Sequence, residues 1–378
     1  MIGVAVVGTG FIGPVHIEAL RRLGHAVVGV LGSSPEKGQA AAQSLGIPRA
    51  YASFAELLAD PSATVVHLTS PNRHHFAQCR DAICAGKHVV CEKPLAMTTA
   101  ETAELVALAD ASSVVTAVNY NVRFYPMVLE ARERVRAGEL GSVFHVTGSY
   151  LQDWLLYDTD FNWRVLADDG GRLRAIADIG THWLDAVCFV GGLEVDAVCA
   201  DLHTVHRTRK CPVGGRNTFS SVMASATTDV PIATEDYGSV LVRFRGGARG
   251  CFTVSQVAAG HKNELRFTLA GSAESFAWNS EEPNTLHVGH RGRANERLGR
   301  DPGQLAPSIR GYSDYPGGHA EGFPDTFKML YRAVYADIRA GAKNPYPLYA
   351  TFADGHREVA ICEAILASHR TQSWVRVA

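Results

Sequence analysis

The chain predicts an α/β protein in two parts, and three features carry that reading. Near the start, a short apolar β-branched run from Val4 to Val7 leads into Gly8, Gly10 and Gly13. An amphipathic segment follows, with Ile12, Val15, Ala19 and Leu20 on its apolar side. Through the first third, short apolar runs alternate with helical segments across brief connections, as in a parallel sheet wound with right-handed crossovers. Beyond Tyr120 the runs lengthen and alternate in polarity, which reads as a large, mainly antiparallel sheet with helices on one face.

Taken in order, Val4 to Val7 is the first strand and Ala26 to Leu31 the second. A helix from Pro35 to Leu45 ends near Gly46, and Phe54 to Leu58 forms a short helix. A strand from Val65 to Thr69 is followed by a helix from His75 to Ala85, closed by Gly86. His88 to Cys91, Thr99 to Ala111 and Val114 to Val118 complete the series as strand, helix and strand. The change near Tyr120 places a domain boundary between residues 121 and 122, giving parts 1–121 and 122–378. Long strands follow at Val143 to Tyr150, Gly238 to Phe244, Gly250 to Gln256 and Leu265 to Ala270. Arg245-Gly246-Gly247-Ala248 supplies a hairpin turn between two of them. Arg207 to Thr218 and Arg291 to Gly317, rich in glycine, proline or charge, read as surface loops.

Composition narrows the function. With 378 residues the chain can bury a substantial core. A formal charge of −2 gives no electrostatic reason to expect nucleic acid or an acidic membrane surface. The basic stretch His206-Arg207-Thr208-Arg209-Lys210 reads as solvated loop. The eight cysteines are scattered without a C-x-x-C pair, and Cys91, Cys188 and Cys199 sit in apolar runs, as reduced buried thiols do. No apolar run is long enough to span a membrane. The first apolar run lacks a basic leader and is already a strand, so it does not read as a signal peptide. These features fit a reducing cytoplasm. His287 with His290, and His203 with His206, have no supporting cysteine or acid cluster, so no metal is expected.

The spacing Gly8-x-Gly10-x-x-Gly13 between strand and helix is that of a dinucleotide turn. The first glycine takes the turn's backbone angles, the second lets the chain approach a pyrophosphate, and the third lets helix and strand pack closely. Free N–H groups at the helix N-terminus then hold the phosphates. No acid stands at the end of the second strand to grip an adenosine ribose. Ser33, Ser34 and Lys37 stand there instead and suit a 2′-phosphate, which favours NADP over NAD. Ser33 or Ser34 is equally suited to cap the helix opening at Pro35.

Two further motifs carry chemistry. Glu92-Lys93-Pro94 follows a strand at its carboxyl end, where ligands bind in open parallel sheets. Lys93 can hydrogen-bond a substrate hydroxyl and stabilise charge on its oxygen, while Glu92 can orient it or meet a nicotinamide ribose. In Asp178-Ile179-Gly180-Thr181-His182, the acid and the histidine are four apart. If a helix begins there they share one face, and a histidine titrating near neutrality suits proton transfer to or from a hydroxyl. Alternatively, Asp178 caps that helix and His182 merely packs.

The turn Gly8-Thr9-Gly10-Phe11-Ile12-Gly13, then Ser70-Pro71-Asn72 with His75, then Glu92-Lys93-Pro94, Asn119-Tyr120-Asn121-Val122-Arg123 and Asp178-x-x-x-His182 occur in one order at suitable spacing. Together they resemble the Gfo/Idh/MocA oxidoreductases over nearly the whole chain. The resemblance implies a Rossmann domain, doubly wound on a parallel sheet, followed by an α/β domain whose open sheet packs in homodimers or homotetramers. It implies a catalytic group of Lys93, Asp178 and His182. It also implies a cofactor site drawing on Phe11 and Ile12, on Ser70, Pro71, Asn72 and His75, on Glu92 with Lys93, and on Asn119 and Arg123.

The stretch Gly148-Ser149-Tyr150-Leu151-Gln152-Asp153-Trp154 with Asn162-Trp163-Arg164 is similar to the sugar-oxidising branch, where it lines the substrate pocket. Gln152 and Arg164 can hydrogen-bond ring hydroxyls, and Trp154 can lie against the apolar face of a sugar. Arg164 also suits an anionic group, and Trp163 reads as a core aromatic. The expectation is a NAD(P)-dependent dehydrogenase of a secondary alcohol in a sugar, sugar derivative or cyclitol. The alternatives are a reductase of a trans-dihydrodiol or biosynthetic keto-sugar, or a cofactor-binding sensor without turnover.

Overall fold

The computed structural model describes residues 2–213 and 226–377. The chain forms two units, one of Met1–Asn121, Asp168–Gly171 and Pro324–Val359, the other of Val122–Ala167, Arg172–Phe323 and Ala360–Ala378.

In the first unit β1 (Gly3–Val7), α1 (Ile12–Arg22), β2 (Ala26–Leu31), α2 (Pro35–Leu45), α3 (Phe54–Ala59), β3 (Val65–Leu68), α4 (His75–Cys84), β4 (His88–Cys91), α5 (Thr99–Ala111) and β5 (Thr116–Val118) alternate as expected. The strands form one parallel sheet in the order β2-β1-β3-β4-β5. The order reverses between β1 and β3, so the loops after these strands flank a topological switch point. Apolar side chains from strands and helices close one core, including Val7, Leu57, Val66, Leu68, Val89 and Leu105. The last strand begins at Thr116 rather than Val114, because the Val115 N–H donates to Nδ1 of His88 at 2.8 Å instead of joining the ladder.

In the second unit the main elements are α6 (Pro126–Arg136), β6 (Val143–Leu151), the single turn α7 (Ala167–Gly170, largely counted with the first unit), α8 (Thr181–Gly191), β7 (Val195–His203), β8 (Thr208–Pro212), β9 (Thr227–Pro231), β10 (Tyr237–Phe244), β11 (Arg249–Ser255), β12 (Glu264–Gly271), β13 (Ser275–Asn279), β14 (Thr285–Gly289), β15 (Glu296–Gly299) and β16 (Val375–Arg376). Nine strands form one sheet, β15-β14-β13-β12-β6-β11-β10-β7-β16. Only β6 and β11 run parallel to each other; the remaining pairs are antiparallel. Helix α8 packs on this sheet through Trp183, which stacks on Phe252 with ring centroids 4.6 Å apart. Gly148 makes room for it, since a Cβ there would lie 2.4 Å from the indole nitrogen and 2.1 Å from the Arg266 carbonyl oxygen.

Helices α9 (Phe323–Ala340) and α10 (Phe352–Thr371) lie between β15 and β16. Most of α9 and the start of α10 count with the first unit.

Two expected surface loops contain regular structure. Residues 208–212 form β8, paired with β9, while residues 214–218 of the same expected loop lie outside the described residues. The basic run is not simply solvated. Alternation turns Arg209 inward, where it is fully buried and donates to the Asp236 carboxylate at 2.6 Å. Likewise 291–317 contains β15 and a 3₁₀ turn at Arg310–Tyr312. It is anchored by buried Arg300, 3.0 Å from the Glu321 carboxylate. Among the described residues no helix is long and apolar enough to cross a membrane, and no cluster of three His, Cys, Asp or Glu side chains is placed to hold a metal.

Candidate active site

The glycine turn has the geometry a pyrophosphate needs. Gly8 has φ +99°, and a Cβ there would lie 2.6 Å from the Thr69 carbonyl. A Cβ on Gly13 would lie 2.2 Å from the Gly8 carbonyl oxygen, so only glycine lets α1 and β1 approach this closely. A Cβ on Gly10 would meet nothing within 4 Å, which leaves that side open for a ligand. Helix α1 starts with no side-chain cap and no acid in its first turn, so its N–H groups and dipole are available to an anion. Phe11 is 51% exposed beside them, and Ile12 is half-buried. The end of β2 adjoins the turn through a Gly8 N–H bond to the Leu31 carbonyl at 2.8 Å. There Ser34 caps α2, accepting from the Lys37 N–H at 3.3 Å. Ser33 and Lys37 stay exposed.

Beyond β3, Ser70 donates to Gln78 at 2.6 Å, Pro71 opens a 3₁₀ turn, and the Asn72 amide donates to the Gly170 carbonyl at 2.9 Å. His75 is fully buried rather than open to a ligand, which corrects its expected direct contact. Its ring nitrogens lie 2.8 Å from the carbonyls of Pro94 and Ser70. Burial lowers its pKa, and its ring pins the loop after β3 to the loop after β4.

Glu92 is also buried. Its carboxylate accepts from Asn119 at 2.5 Å and from the Lys93 N–H at 3.2 Å, and lies 3.0 Å from Nε2 of His16. It therefore fixes the backbone that carries half-buried Lys93. The carbonyl oxygen of the Asn119 side chain is buried without a protein partner. Such an orphaned acceptor, with the open side of Gly10 and the uncapped helix, fits a bound dinucleotide.

In the second unit, Asp178 lies inside a π turn, Ile176–Gly180, that runs straight into α8. π turns recur at functional sites. The expectation that a helix begins at Asp178 is corrected: the turn starts earlier, and buried Glu235 takes the N–H groups of Arg174 and Ile176 at 2.9 Å each. Asp178 is thereby released from capping. Its carboxylate accepts from Gln256 at 2.8 Å and faces Nε of Arg164 at 3.4 Å. His182 is 8% exposed one turn on, its ring 6.2 Å from that of Tyr150. Burial raises the Tyr150 phenol pKa, helped by Tyr125 and Asp178, so Tyr150 stays a neutral donor.

Gln152, Trp154 and Arg164 converge on the same place. The Trp154 indole donates to Gln152 at 2.8 Å, and the Gln152 amide donates to Asn263 at 2.8 Å. Asn263 also accepts from Tyr150 at 2.7 Å. The Arg164 guanidinium lies over the Trp163 ring, 4.4 Å from its centroid, so half-buried Trp163 is a platform for Arg164 rather than a core aromatic.

Arg123 is placed differently from the expectation. It is 4% exposed, and its fork binds Asp185 of α8 at 2.8 and 2.5 Å. This bidentate buried pair holds α8 and does not present a cation to a cofactor. Sequence reasoning missed Gln256, Asn263, Arg174 and His16, and named Tyr150 only as part of the pocket stretch. Gln256 follows an ordinary strand, and no local pattern marks a buried amide that will meet an acid 78 residues away.

Residues 2–120 match the model of the Gfo/Idh/MocA oxidoreductase family with NAD-binding Rossmann fold, and residues 128–277 match the family's C-terminal domain. Levoglucosan dehydrogenase of Pseudarthrobacter phenanthrenivorans is 28% identical over 392 residues, covering 100% of this chain and 98% of that protein. D-xylose 1-dehydrogenase (NADP(+)) 2 of Haloferax volcanii is 33% identical over 212 residues, covering 56% of this chain and 62% of that protein. A solved levoglucosan dehydrogenase in complex with NADH and L-sorbose superposes with a TM-score of 0.89 at 27% identity, covering 100% of this chain and 99% of that one. The chain belongs to the Gfo/Idh/MocA family of oxidoreductases, with an N-terminal NAD-binding Rossmann fold.

Proposed function

We propose that this chain is a NAD(P)-dependent dehydrogenase acting on a secondary alcohol of a neutral sugar, sugar derivative or cyclitol, and on the matching ketone in reverse. The observation that carries this reading is the cluster of Gln152, Trp154, Asn263, Tyr150, Arg164 and Asp178, joined through Gln256, with His182 one turn beyond Asp178 and its ring 6.2 Å from that of Tyr150. It combines an aromatic wall with several neutral hydrogen-bonding groups, as a polyol requires. Arg164 faces the Asp178 carboxylate at 3.4 Å, so its charge is already opposed and an anionic sugar gains little there. The similarity to a levoglucosan dehydrogenase and a xylose dehydrogenase supports the same class.

The first unit would hold the dinucleotide at Gly8, Gly10, Phe11, Ile12 and Gly13, with Ser70, Pro71, Asn72, Glu92 and Asn119 around the remainder. The nicotinamide, when bound, supplies the hydride acceptor or donor. His182 takes the hydroxyl proton as general base and returns it in the reverse direction. Lys93 hydrogen-bonds the same oxygen and stabilises its developing negative charge. Asp178 orients the hydroxyl. The second unit provides the substrate pocket, and the open face of its large sheet provides the contacts of a cytoplasmic homodimer or homotetramer.

The test is a screen of levoglucosan, D-xylose, L-sorbose, cyclitols, sugar phosphates and a trans-dihydrodiol with each cofactor, followed by NAD(P)H absorbance. Turnover of a neutral sugar supports the reading; turnover confined to dihydrodiols or acidic substrates removes it. Within this scheme, Trp154→Ala and Gln152→Ala should each weaken sugar binding by about 1–3 kcal/mol, the cost of leaving buried polar groups unpaired. Cofactor affinity should stay unchanged, and steady-state KM values check both.

Cofactor choice follows from the end of β2. Ser33 and Lys37 are exposed there without an acid at the strand end, which favours NADP over NAD. Ser33→Asp should repel a 2′-phosphate and move the ratio of kcat/KM values toward NAD. An unmoved ratio places recognition of the 2′ position elsewhere.

A further inference from the structure

We propose that Gln256 is a positioning residue for the reaction: a buried amide whose direction is dictated by Arg174 and which holds Asp178 as an acceptor toward the substrate. The inference rests on the reading of Asp178 as part of the reacting group. Gln256 is fully buried immediately after β11. Its side-chain oxygen accepts from Nη1 of Arg174 at 2.9 Å, and its nitrogen donates to Oδ2 of Asp178 at 2.8 Å. The same nitrogen reaches the Gln152 side-chain oxygen at 3.5 Å. Reversing the amide would set its N–H groups against a guanidinium and its oxygen against a carboxylate, so chemistry allows one orientation.

Arg174 is itself fixed. It binds Asp236, which also binds Arg209, and all three side chains are fully buried. Arg209 in turn donates to the carbonyls of Leu155, Tyr157 and Asp160 at 3.0, 2.8 and 2.9 Å. One buried ionic hub therefore reaches both Asp178, through Gln256, and the segment that follows the pocket residues Gln152 and Trp154. A donor held on Asp178 favours its charged form. Among charged or titratable groups, Arg164 from the 3₁₀ turn Trp163–Val165 faces Asp178 at 3.4 Å, Tyr150 of β6 feels its charge, and His182 follows one turn on in α8. Arg174 and Asp236 stand behind Gln256.

The test is a carboxyl-carbon NMR titration of protein labelled with [4-¹³C]aspartate, the Asp178 signal being the one lost in Asp178→Asn. Gln256→Met removes the donor at similar volume, and Gln256→Glu keeps a partner for Arg174 but sets a second carboxylate against Asp178. The midpoint of Asp178 should rise by about one pH unit in the first variant and further in the second, following loss of a donor and gain of a like charge. With levoglucosan and D-xylose, kcat/KM should fall by roughly ten- to a hundredfold in Gln256→Met, its acid limb moving upward, while NADH affinity by fluorescence stays constant. A midpoint that moves by less than about 0.3 in both variants overturns the proposal, even if melting temperature falls, because that pattern is structural only. Should Gln256→Met fail to fold, Gln256→Glu decides. Full turnover in Asp178→Asn overturns this inference together with the proposed roles; lost turnover in Asp178→Asn with unmoved midpoints overturns this inference alone.

Discussion

Replacing His182 with alanine should lower kcat by about 10²–10⁴, the usual worth of a positioned acid or base. His182 sits in the first turn of α8, held by the π turn before it and 8% exposed. Removing its imidazole deletes the proton acceptor while the buried ion pair of Asp185 with Arg123, which anchors α8, stays in place. Fold and cofactor affinity should therefore survive. Lys93→Met should be comparably damaging, because a methionine keeps the length of the side chain but cannot stabilise an oxyanion. Steady-state kinetics on a sugar from the screen check both, and near-wild-type kcat in either variant removes that residue from the mechanism. The pH–rate profile adds a stricter test: a limb near neutrality that survives in His182→Ala counts against the base role specifically.

The second large effect is on the cofactor. Gly10→Val should abolish nucleotide binding and leave the melting temperature nearly unchanged. The two neighbouring glycines make the contrast sharp. A side chain at Gly8 or Gly13 would collide with backbone 2.6 or 2.2 Å away, so substitution there damages the fold. At Gly10 an added Cβ meets nothing within 4 Å, so a side chain there projects into the space proposed for the ligand. Calorimetric titration with NADH and NADPH measures the loss. Unchanged affinity for both removes the glycine turn as the pyrophosphate site.

Much of the first unit was legible because its signals are local. Glycine spacing, β-branched runs and helix caps such as Ser34 and Gly46 act within a few residues of themselves. The start of β5 was misplaced by two residues because a distant ring nitrogen, that of His88, took a ladder donor. In the second unit the long strands were legible from their alternation, but β8 was read as loop. Its arginine is buried only because Asp236 waits for it across the fold, and a buried charge has no signature apart from its partner. The same holds at the site. Lys93, Asp178 and His182 were named from motifs, whereas the π turn that frees Asp178 depends on Glu235, some sixty residues later in the chain. Arg123 shows the opposite error: a motif arginine read as a ligand contact is committed to Asp185.

The most direct measurement follows the hydride itself. A sugar turned over in the screen, deuterated at the carbon bearing the oxidised hydroxyl, is incubated with the preferred cofactor, and the reduced nicotinamide is analysed by mass spectrometry and NMR. Transfer of one deuterium to C4 of the ring, lost in Gly10→Val and slowed in His182→Ala, is the predicted result. Reduced cofactor without deuterium, or no sugar-dependent reduction of either cofactor across the screen, would contradict a sugar dehydrogenase.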